Sequence, residues 1–256
     1  MHRFYLTPND WASATLRKSE AHHAGSVLRL QPGARLVVFD GRGREATAEI
    51  AALKPGAVQL RILQQTATLP LRARIVLAQA VPKGKNMDLI VQKAVEIGAA
   101  EIFPLLSDRT VVQLDPKSAA QKQSKWQTVA IEAAKQCGQN WVPQVHLPRA
   151  PNEFFAETAA AGFDLRLIGS LQPGAMHLKK ILSDYAQVHA GARPSSVLIV
   201  VGPEGDFTPA ELALARSYGC LPLTLGPIIL RVETAAIYCL SILSYELFGE
   251  TESSSR

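Results

Sequence analysis

Two loops in the C-terminal quarter of the chain carry the residues best suited to hold a ligand. Residues 202–207 read Gly-Pro-Glu-Gly-Asp-Phe, and residues 225–236 run from Leu-Gly-Pro into an Arg-x-Glu-Thr helix start. Each loop follows a β-branched or leucine-rich segment and precedes a helical pattern, so both are expected at one edge of a parallel sheet. Glycines let the main chain approach a ligand closely, and its exposed amides and carbonyls can read the polar edge of an adenine.

A third loop of the same kind, residues 169–171, follows the Leu167-Ile168 segment and could complete a pocket. None of the three matches a dinucleotide fingerprint, a P-loop or a metal motif. For a single loop, the glycines are explained well enough by the tight turns of any α/β protein. Because two loops share such similar construction, we favour a pocket for a flat cofactor.

The elements that must position these loops alternate along the chain. Helical periodicity predicts helices over residues 86–97, 119–137, 176–190 and 233–248, and apolar segments predict strands over 73–81, 101–105, 164–168, 196–201 and 221–225. Thr208 and Glu211 form a capping box with Pro209 at the first helical position, so another helix starts there. This alternation predicts an α/β domain with a parallel sheet over residues 71–250.

Residues 1–70 have a different character. Short strands are predicted at 35–40, 45–50 and 57–63, with a hairpin turn between the first two and one short helix over 19–28. Several short strands with little helix suggest a small β-barrel. Pro70 interrupts the pattern and marks the boundary, and the Ser/Thr-rich residues 251–256 are predicted to be a disordered tail.

Charge is distributed unevenly between the two predicted domains. Residues 1–70 hold nine Lys/Arg against five Asp/Glu, whereas residues 71–256 hold eighteen against seventeen. A basic small domain beside a nearly neutral larger one suggests a nucleic-acid-reading module attached to a catalytic body. A mildly unequal surface charge explains the same numbers equally well.

Composition excludes several other classes. Cys137, Cys220 and Cys239 are far apart and show no Cys-x-x-Cys spacing, so we expect reduced thiols in a cytoplasmic protein, without a zinc site or disulfides. No window is apolar enough to cross a membrane. Residues 1–5 are not followed by a long apolar stretch, so no secretory signal is predicted.

The two loops together resemble the SPOUT superfamily of S-adenosylmethionine-dependent RNA methyltransferases. Within it the chain resembles the RsmE family, which methylates N3 of a uridine in 16S ribosomal RNA. His-His-Ala at 22–24 with Val-Leu-Arg at 27–29 is similar to the N-terminal signature of the family. Lys-Gly-x-x-Met at 83–87 with Gln-Lys-Ala-x-Glu-x-Gly at 92–98 is similar to its central signature. The likeness covers nearly the whole chain.

This resemblance implies a fold and its partners. Residues 1–70 would form a PUA-like β-barrel that binds RNA, and residues 71–250 a SPOUT domain whose parallel sheet carries a trefoil knot. The cofactor would be S-adenosylmethionine and the substrate the 16S RNA of the small ribosomal subunit, with no metal and no membrane involved. The protein would be a homodimer, and an apolar face of the last helix with Ile237, Leu240 and Leu243 could lie at the interface.

The resemblance also implies site residues. The cofactor would be held by Gly169, Ser170, Leu171, Gly202, Pro203, Glu204, Gly205, Leu225, Gly226, Leu230, Arg231, Glu233, Thr234 and Ala235. N3 of uridine is protonated at neutral pH, so Glu233 or Glu204 could take its proton while Arg231 stabilises the developing negative charge. For Glu233, a role at the helix N-terminus is an equally good explanation. RNA contacts are expected from Arg3, Arg17, Arg29, Arg42, Lys83, Lys85 and Arg109, with Lys18 and Arg44 as further candidates.

Three positions depart from the family pattern. Ile228 and Gln139 stand where arginine is common, and Asp206 stands where glycine is common. The missing charges put the identity of the RNA in doubt more than the methyl transfer. Two alternatives therefore stay open: a SPOUT methyltransferase that acts on another RNA, and a non-catalytic RNA-binding or ribosome assembly factor.

Overall fold

The computed structural model describes residues 1–110 and 114–249, so the predicted disordered tail at 251–256 lies outside the described residues. The described chain divides into two compact units. The first comprises Met1–Pro70 together with Ile131–Val142, and the second comprises Leu71–Ala130 and the residues from Pro143 onward. The inclusion of Ile131–Val142 in the first unit differs from the contiguous 1–70 domain expected from the sequence.

The first unit is built on a five-stranded sheet. Its elements are β1 (Arg3–Tyr5), α1 (Pro8–Ala12), β2 (Thr15–Arg17), α2 (Lys18–His22), a π-helical turn (His23–Val27), β3 (Arg35–Phe39), β4 (Arg44–Lys54) and β5 (Ala57–Ala67). The strand order is β1-β3-β4-β5-β2, with the long antiparallel β4–β5 hairpin at its centre. The apolar side chains of alternate strand positions form the core, among them Phe4, Leu16 and Leu36.

Residues 131–142 complete this unit through buried polar contacts. Lys135, whose side chain is only 8% exposed, lies 2.9 Å from both Glu20 Oε1 and Glu132 Oε1. Burial lowers the pKa of Lys135, but the hydrogen bonds that its ammonium group donates to the two glutamates outweigh burial, and the pKa is raised. Gly43, in the left-handed region at φ 92°, lies so close to the Trp141 ring that a Cβ would be 2.7 Å from it.

The second unit contains a seven-stranded sheet. Its elements are β6 (Arg74–Ala80), α3 (Asn86–Ile97), β7 (Glu101–Leu105), the first part of α4 (Pro116–Cys137), β8 (Gln144–Val145), α5 (Pro151–Thr158), β9 (Leu165–Gly169), β10 (Met176–His177), α6 (Leu178–Val188), β11 (Ser196–Val201), α7 (Pro209–Ser217), β12 (Leu221–Thr224) and α8 (Val232–Phe248). The strand order is β10-β12-β9-β11-β6-β7-β8, and every neighbouring pair is parallel. The predicted α/β fold class is therefore confirmed.

The central strands are apolar because both sheet faces are covered. In β6 and β11 nearly every residue is buried, as expected for parallel strands covered by helices on both sides. One face packs in a cluster that includes Val76, Leu198, Phe154 and Leu212. These two strands lie side by side, so the loops at their carboxyl ends start from a rigid base.

Several sequence predictions are confirmed in detail. Helix α3 has the predicted bounds, and Gly98 caps its end in the left-handed conformation at φ 96°. The capping box at the start of α7 is formed, since the Glu211 amide donates to Thr208 Oγ1 and the Thr208 amide donates to Glu211 Oε2.

Other predictions were wrong at the level of local elements. The helix expected over 19–28 is divided into α2 and the π-helical turn, and the first two residues of the helix expected over 176–190 pair with β12 as a strand. Helices α1 and α5 were missed. Both are short, and each starts with a proline at the first helical position, which reads as a turn signal in the sequence alone.

The predicted interface face of the last helix also needs correction. Leu240 and Leu243 on α8 are buried within the chain itself, so they are not free to contact a second copy. The exposed side of α8 carries Thr234, Tyr238 and Tyr245, which share one helix face. Within the described residues, no helix has the length and apolar character needed to cross a membrane.

We predict that Glu101 gives the second unit much of its acid sensitivity. His146 Nε2 lies 2.9 Å from Glu101 Oε2, and Arg74 Nε donates to Oε1 at 3.0 Å. The His146 bond is the largest cause, and with Arg74 it outweighs burial and holds the pKa of Glu101 at about 2, below its ordinary 4.5. A depressed pKa stabilises the fold above pH 4.5, and this stabilisation is lost as the pH falls toward 2.

Glu101→Gln should therefore cost about 1–3 kcal/mol at neutral pH and flatten the dependence of stability on pH between about 5 and 2. Denaturant unfolding at a series of pH values measures both effects. The exposed Glu153→Gln serves as the matched control and should retain the pH dependence of the unsubstituted chain. An equally steep acid transition in Glu101→Gln would contradict the assignment.

Candidate cofactor cavity

The three loops singled out in the sequence meet at one edge of the sheet. They follow β9, β11 and β12, which are neighbours in the order β12-β9-β11, and all three strands run in the same direction. Between the loops lies a cavity of about 560 Å³. Cavities that take drug-sized ligands or cofactors span about 300–1,000 Å³, so this one has the size of a cofactor site.

Most of the predicted cofactor residues line this cavity. They are Gly169, Ser170, Leu171, Gly202, Pro203, Glu204, Leu225, Gly226, Leu230, Arg231, Glu233 and Ala235. The two exceptions are Gly205, which lies against the Arg109 side chain, and Thr234, which is exposed on α8. The structure thus brings the two loops and the helix start together, as their shared position after parallel strands suggested.

The cavity also contains residues outside the predicted cofactor set, although Lys83 was predicted to contact RNA, and Asp206 and Ile228 were noted as departures from the family pattern. They are Lys83, Asn86, Val201, Asp206, Leu223, Thr224, Ile228, Ile229 and Val232. Lys83 and Asn86 belong to the loop after β6 and the start of α3, far from the other loops in the chain. The Lys-Gly-x-x-Met signature was noticed for its likeness to a family, but nothing in its spacing indicated a contact with residues more than a hundred positions away.

Hydrogen bonds donated by main-chain amides join the cavity loops to one another. The Ser170 amide donates to the Leu223 carbonyl at 3.0 Å, and the Leu171 amide donates to Asp206 Oδ2 at 3.2 Å. On the other side, the Lys83 amide donates to Glu204 Oε1 at 3.0 Å. The cavity wall is therefore connected from β12 to the loop after β6 without a break.

The charged residues of the cavity differ in how they are held. Glu233, in the first turn of α8, accepts a hydrogen bond from Asn86 Nδ2 at 3.1 Å. Arg231 occupies the N-cap position of α8, is exposed, and makes no capping hydrogen bond with any described residue. The Arg231 guanidinium is accordingly available to a ligand, while the Glu233 carboxylate is held in place at the cavity wall.

The predicted RNA-binding residues fall into two groups. The prediction that Arg3 contacts RNA is wrong. Its largely buried guanidinium is bonded to Glu45 and Asn140 and lies over the Phe39 ring, so it is not available for a phosphate. Arg109 donates to the carbonyl of Gly205, which ties it to the cavity loop. The remaining predicted residues are exposed, namely Arg17, Arg29, Arg42, Lys83 and Lys85.

The cysteines do not contribute to the site. All three are free, and burial raises the pKa of the Cys220 and Cys239 thiols to about 12. Both therefore stay protonated and unreactive at neutral pH. The residues that the structure describes contain no cluster of His, Cys, Asp and Glu side chains that could hold a metal ion.

Comparison with known proteins agrees with this architecture. A family profile described as an RNA methyltransferase domain matches residues 69–244, and one described as an RNA methyltransferase PUA domain matches residues 16–63. The ribosomal RNA small subunit methyltransferase E of Bacillus subtilis is 32% identical over 228 residues, which cover 89% of this chain and 88% of that protein. The protein of the same name from Synechocystis is 32% identical over 231 residues, covering 90% of this chain and 72% of its own length.

Solved structures show the same fold. The ribosomal RNA small subunit methyltransferase E of Neisseria gonorrhoeae, bound to S-adenosyl methionine, superposes with a TM-score of 0.80 at 30% identity, covering 96% of this chain and 98% of that one. A Legionella pneumophila protein in complex with the cofactor SAM gives a TM-score of 0.81 at 33% identity, over 95% of this chain and 97% of that one. The chain belongs to the RNA methyltransferase family and, within it, to the ribosomal RNA small subunit methyltransferases E. The resemblance stated from the motifs is thereby confirmed.

We predict that Gly226 is required for the shape of the loop after β12. Its φ of 121° is one that L-residues rarely adopt, although a Cβ there would meet no atom within 4 Å. Gly226→Ala should therefore destabilise the chain by about 1–3 kcal/mol through backbone strain alone. Thermal or denaturant unfolding measures this cost. Gly162→Ala is the control, because that position has equally open space and no positive φ, and it should change stability by less than about 0.5 kcal/mol.

Proposed function

We propose that this chain transfers a methyl group from S-adenosylmethionine to N3 of a uridine in the 16S RNA of the small ribosomal subunit. The observation that carries the proposal is the cavity formed by three glycine-containing loops at the ends of adjacent parallel strands, in a chain whose relatives are named small-subunit RNA methyltransferases. Two structures of the same fold hold this cofactor.

The residues present fit such a cofactor. Main-chain groups around Gly202 and Gly226 can recognise the edge of an adenine, and Leu225, Ile229 and Leu230 offer apolar contact to its faces. The carboxylates that line the cavity can form ion pairs with the positively charged groups of the cofactor. When bound, S-adenosylmethionine supplies an electrophilic methyl group carried on a sulfonium.

The residues of the chain would act on the uridine. Its N3 proton has to be removed as N3 forms its new bond, and Glu233 is a carboxylate held at the cavity wall by Asn86. The uracil gains negative charge as this proton leaves, and the exposed Arg231 guanidinium, which makes no capping bond to any described residue, can stabilise it. Ile228, 75% exposed beside the cavity, offers an apolar surface for a flat base where a cation was expected.

The finer features of the assembly belong to the same proposal. The chain would function as a homodimer, with the exposed Tyr238 and Tyr245 face of α8 as the candidate contact in place of the buried leucines. A trefoil knot in the second unit is proposed from the family resemblance. A ribosomal RNA substrate would place the reaction in the cytoplasm.

Methyl transfer from labelled S-adenosylmethionine to small subunits, and to naked 16S RNA, both lacking the modification, tests the function directly. We expect N3-methyluridine as the product nucleoside. Methylation of a different RNA would favour the first alternative, and cofactor binding without transfer to any RNA would favour a non-catalytic factor.

We predict that Arg231→Ala lowers turnover by about 100-fold or more while cofactor affinity changes by less than about threefold, because the charge is needed chiefly when the uracil becomes negative. Arg231→Lys should restore part of the turnover. Arg216→Ala, an exposed arginine on α7, is the control and should be fully active. Parallel loss of cofactor binding and turnover in Arg231→Ala would show that Arg231 serves the cofactor instead of the uridine.

A second cavity, in the first unit, offers a place for the RNA backbone. It measures about 300 Å³ and lies between the helical segment and the β4–β5 turn, where it is lined by Lys18, His22, Ser26 and Lys54 among others. None of the described residues that line it carries a carboxylate. Lys18 is held in the left-handed conformation at φ 49°, and the adjoining π-helical turn is of a kind often found at functional sites.

We predict that replacing both Lys18 and Lys54 with glutamine weakens binding of small-subunit RNA and lowers the slope of log affinity against log salt by about 0.7 for each lost phosphate contact. Titration of RNA with the complete chain at several salt concentrations measures the slope. Arg35→Gln is the matched control, since Arg35 is an exposed cation of the same unit outside this cavity. An unchanged slope in the double variant would exclude the cavity as a phosphate site.

A further inference from the structure

The loop after β11 occupies the middle of the cavity wall. In the sheet, β11 lies between β9 and β6, so this loop has a neighbouring loop on each side. Two of its residues, Glu204 and Asp206, carry carboxylates at alternate positions. They turn to opposite neighbours and each accepts a hydrogen bond from a main-chain amide there.

Glu204 is bonded to the β6 side. Its Oε1 accepts from the amide of Lys83 at 3.0 Å, and both residues line the cavity. Lys83 precedes α3, the helix that supplies Asn86 to Glu233. Glu204 therefore holds the loop that leads to Asn86, the residue that is hydrogen-bonded to the Glu233 carboxylate.

Asp206 is bonded to the β9 side. Its Oδ2 accepts from the amide of Leu171 at 3.2 Å, and its Oδ1 accepts from the amide of Phe207 at 2.8 Å. Leu171 directly follows Ser170, whose amide is bonded to the Leu223 carbonyl. This carboxylate therefore joins the central loop to the loop after β9, and the loop after β9 is itself bonded to strand β12.

The backbone conformation of Asp206 is strained, so the hydrogen bonds of its carboxylate offset a local cost in conformational free energy. Its φ is 60°, in the left-handed region, where a residue other than glycine is strained by about 1 kcal/mol. Glycine would relieve this strain, but it would leave the Leu171 and Phe207 amides without the carboxylate. Asparagine tolerates the same φ, yet it has a single acceptor oxygen for the two amides. Aspartate alone among these three supplies two acceptors.

We propose that Glu204 and Asp206 are a pair of positioning residues that set the width of the cofactor cavity by holding its central loop to both neighbours. In this arrangement Glu204 does not remove the N3 proton, and Glu233 remains the carboxylate that can. The inference rests on the proposed function for the identity of the ligand. The two carboxylate–amide contacts themselves do not depend on it.

Glu204→Gln and Glu204→Ala separate positioning from proton removal. Glutamine keeps an oxygen that can accept from the Lys83 amide but cannot act as a base. We expect Glu204→Gln to weaken cofactor binding by about threefold and Glu204→Ala by about tenfold, and neither to show the loss of turnover by about 100-fold at saturating cofactor that removal of a base would cause. Loss of turnover by 100-fold or so in Glu204→Gln, with cofactor affinity retained, would overturn the proposal.

Asp206 is tested by separate effects on stability and binding. Asp206→Gly relieves backbone strain, and this offsets part of the loss of the two carboxylate–amide bonds, so its thermal midpoint should fall only slightly while its cofactor affinity falls by about tenfold. Asp206→Asn should show a smaller loss of affinity, about threefold, since one amide keeps a partner. The partly exposed Asp184, which is paired with Lys180 on α6, provides the control: Asp184→Asn also removes a carboxylate and should bind cofactor normally. Unaltered affinity in Asp206→Gly would contradict the role.

Amide hydrogen exchange reports on the contacts without any need for activity. Glu204→Ala should accelerate exchange at the Lys83 amide, and Asp206→Gly should accelerate it at the Leu171 amide, each by about tenfold or more. Unchanged exchange at both amides would overturn the proposal. Failure of the unsubstituted chain to bind S-adenosylmethionine would instead contradict the proposed function, and the exchange rates would still decide whether the two carboxylates hold the loops.

Discussion

The cavity depends on one constraint. At the carboxyl ends of parallel strands the hydrogen bonds between strands end, and the main-chain amides of the following loops need other acceptors. Buried or half-buried amides without partners are costly, so each loop must supply acceptors to the next. Here the amides of Lys83, Leu171 and Ser170 are satisfied by Glu204, Asp206 and the Leu223 carbonyl. The same hydrogen bonds that meet this requirement hold the loops at a fixed separation, and the space between them is the cavity.

This constraint explains why the cavity combines glycines with carboxylates. Glycine at positions 202 and 226 allows the sharp turns and close packing that bring the loops together, as the contact of Gly202 with the Phe207 ring illustrates. The carboxylates accept from amides that those turns leave exposed. Arg231 and Glu233 are then presented by the start of α8, a rigid helix, instead of by the loops themselves. In the proposed function, the groups that act on the uridine are thus separate from the groups that hold the loops together.

The first unit follows a related rule with side chains in place of main-chain amides. Lys135 is nearly fully buried, and it is tolerated because Glu20 and Glu132 both lie within hydrogen-bond distance. The two terminal nitrogens of Arg3 are paired in a similar way with Glu45 and Asn140. A cation that looks like a candidate for RNA in the sequence can therefore be an internal partner in the fold, and only its surroundings distinguish the two. The basic cavity beside Lys18 and Lys54 shows the opposite case, because none of the described residues that line it carries a carboxylate.

The sequence by itself determined the elements and the candidate loops, because these depend on local patterns. Periodicity predicted the bounds of α3, and the Thr208–Glu211 capping box predicted the start of α7. Glycines after apolar segments indicated the three loops that line the cavity, and the family resemblance supplied the individual cofactor residues. Short elements such as α1 and α5 were missed because a five- or eight-residue helix has too few turns to show a period.

Tertiary structure alone decided which distant residues meet. Strand order places the loop after β6 beside the loop after β11, and this brings Lys83 to Glu204 and Asn86 to Glu233 across more than a hundred residues. It also decided that Arg3 is internal, that Leu240 and Leu243 are core residues, and that residues 131–142 belong with the first unit. The physical reason is that local sequence patterns encode the backbone conformation of each segment, whereas the partner of a polar or charged group is set by packing between segments that have no local signal in common.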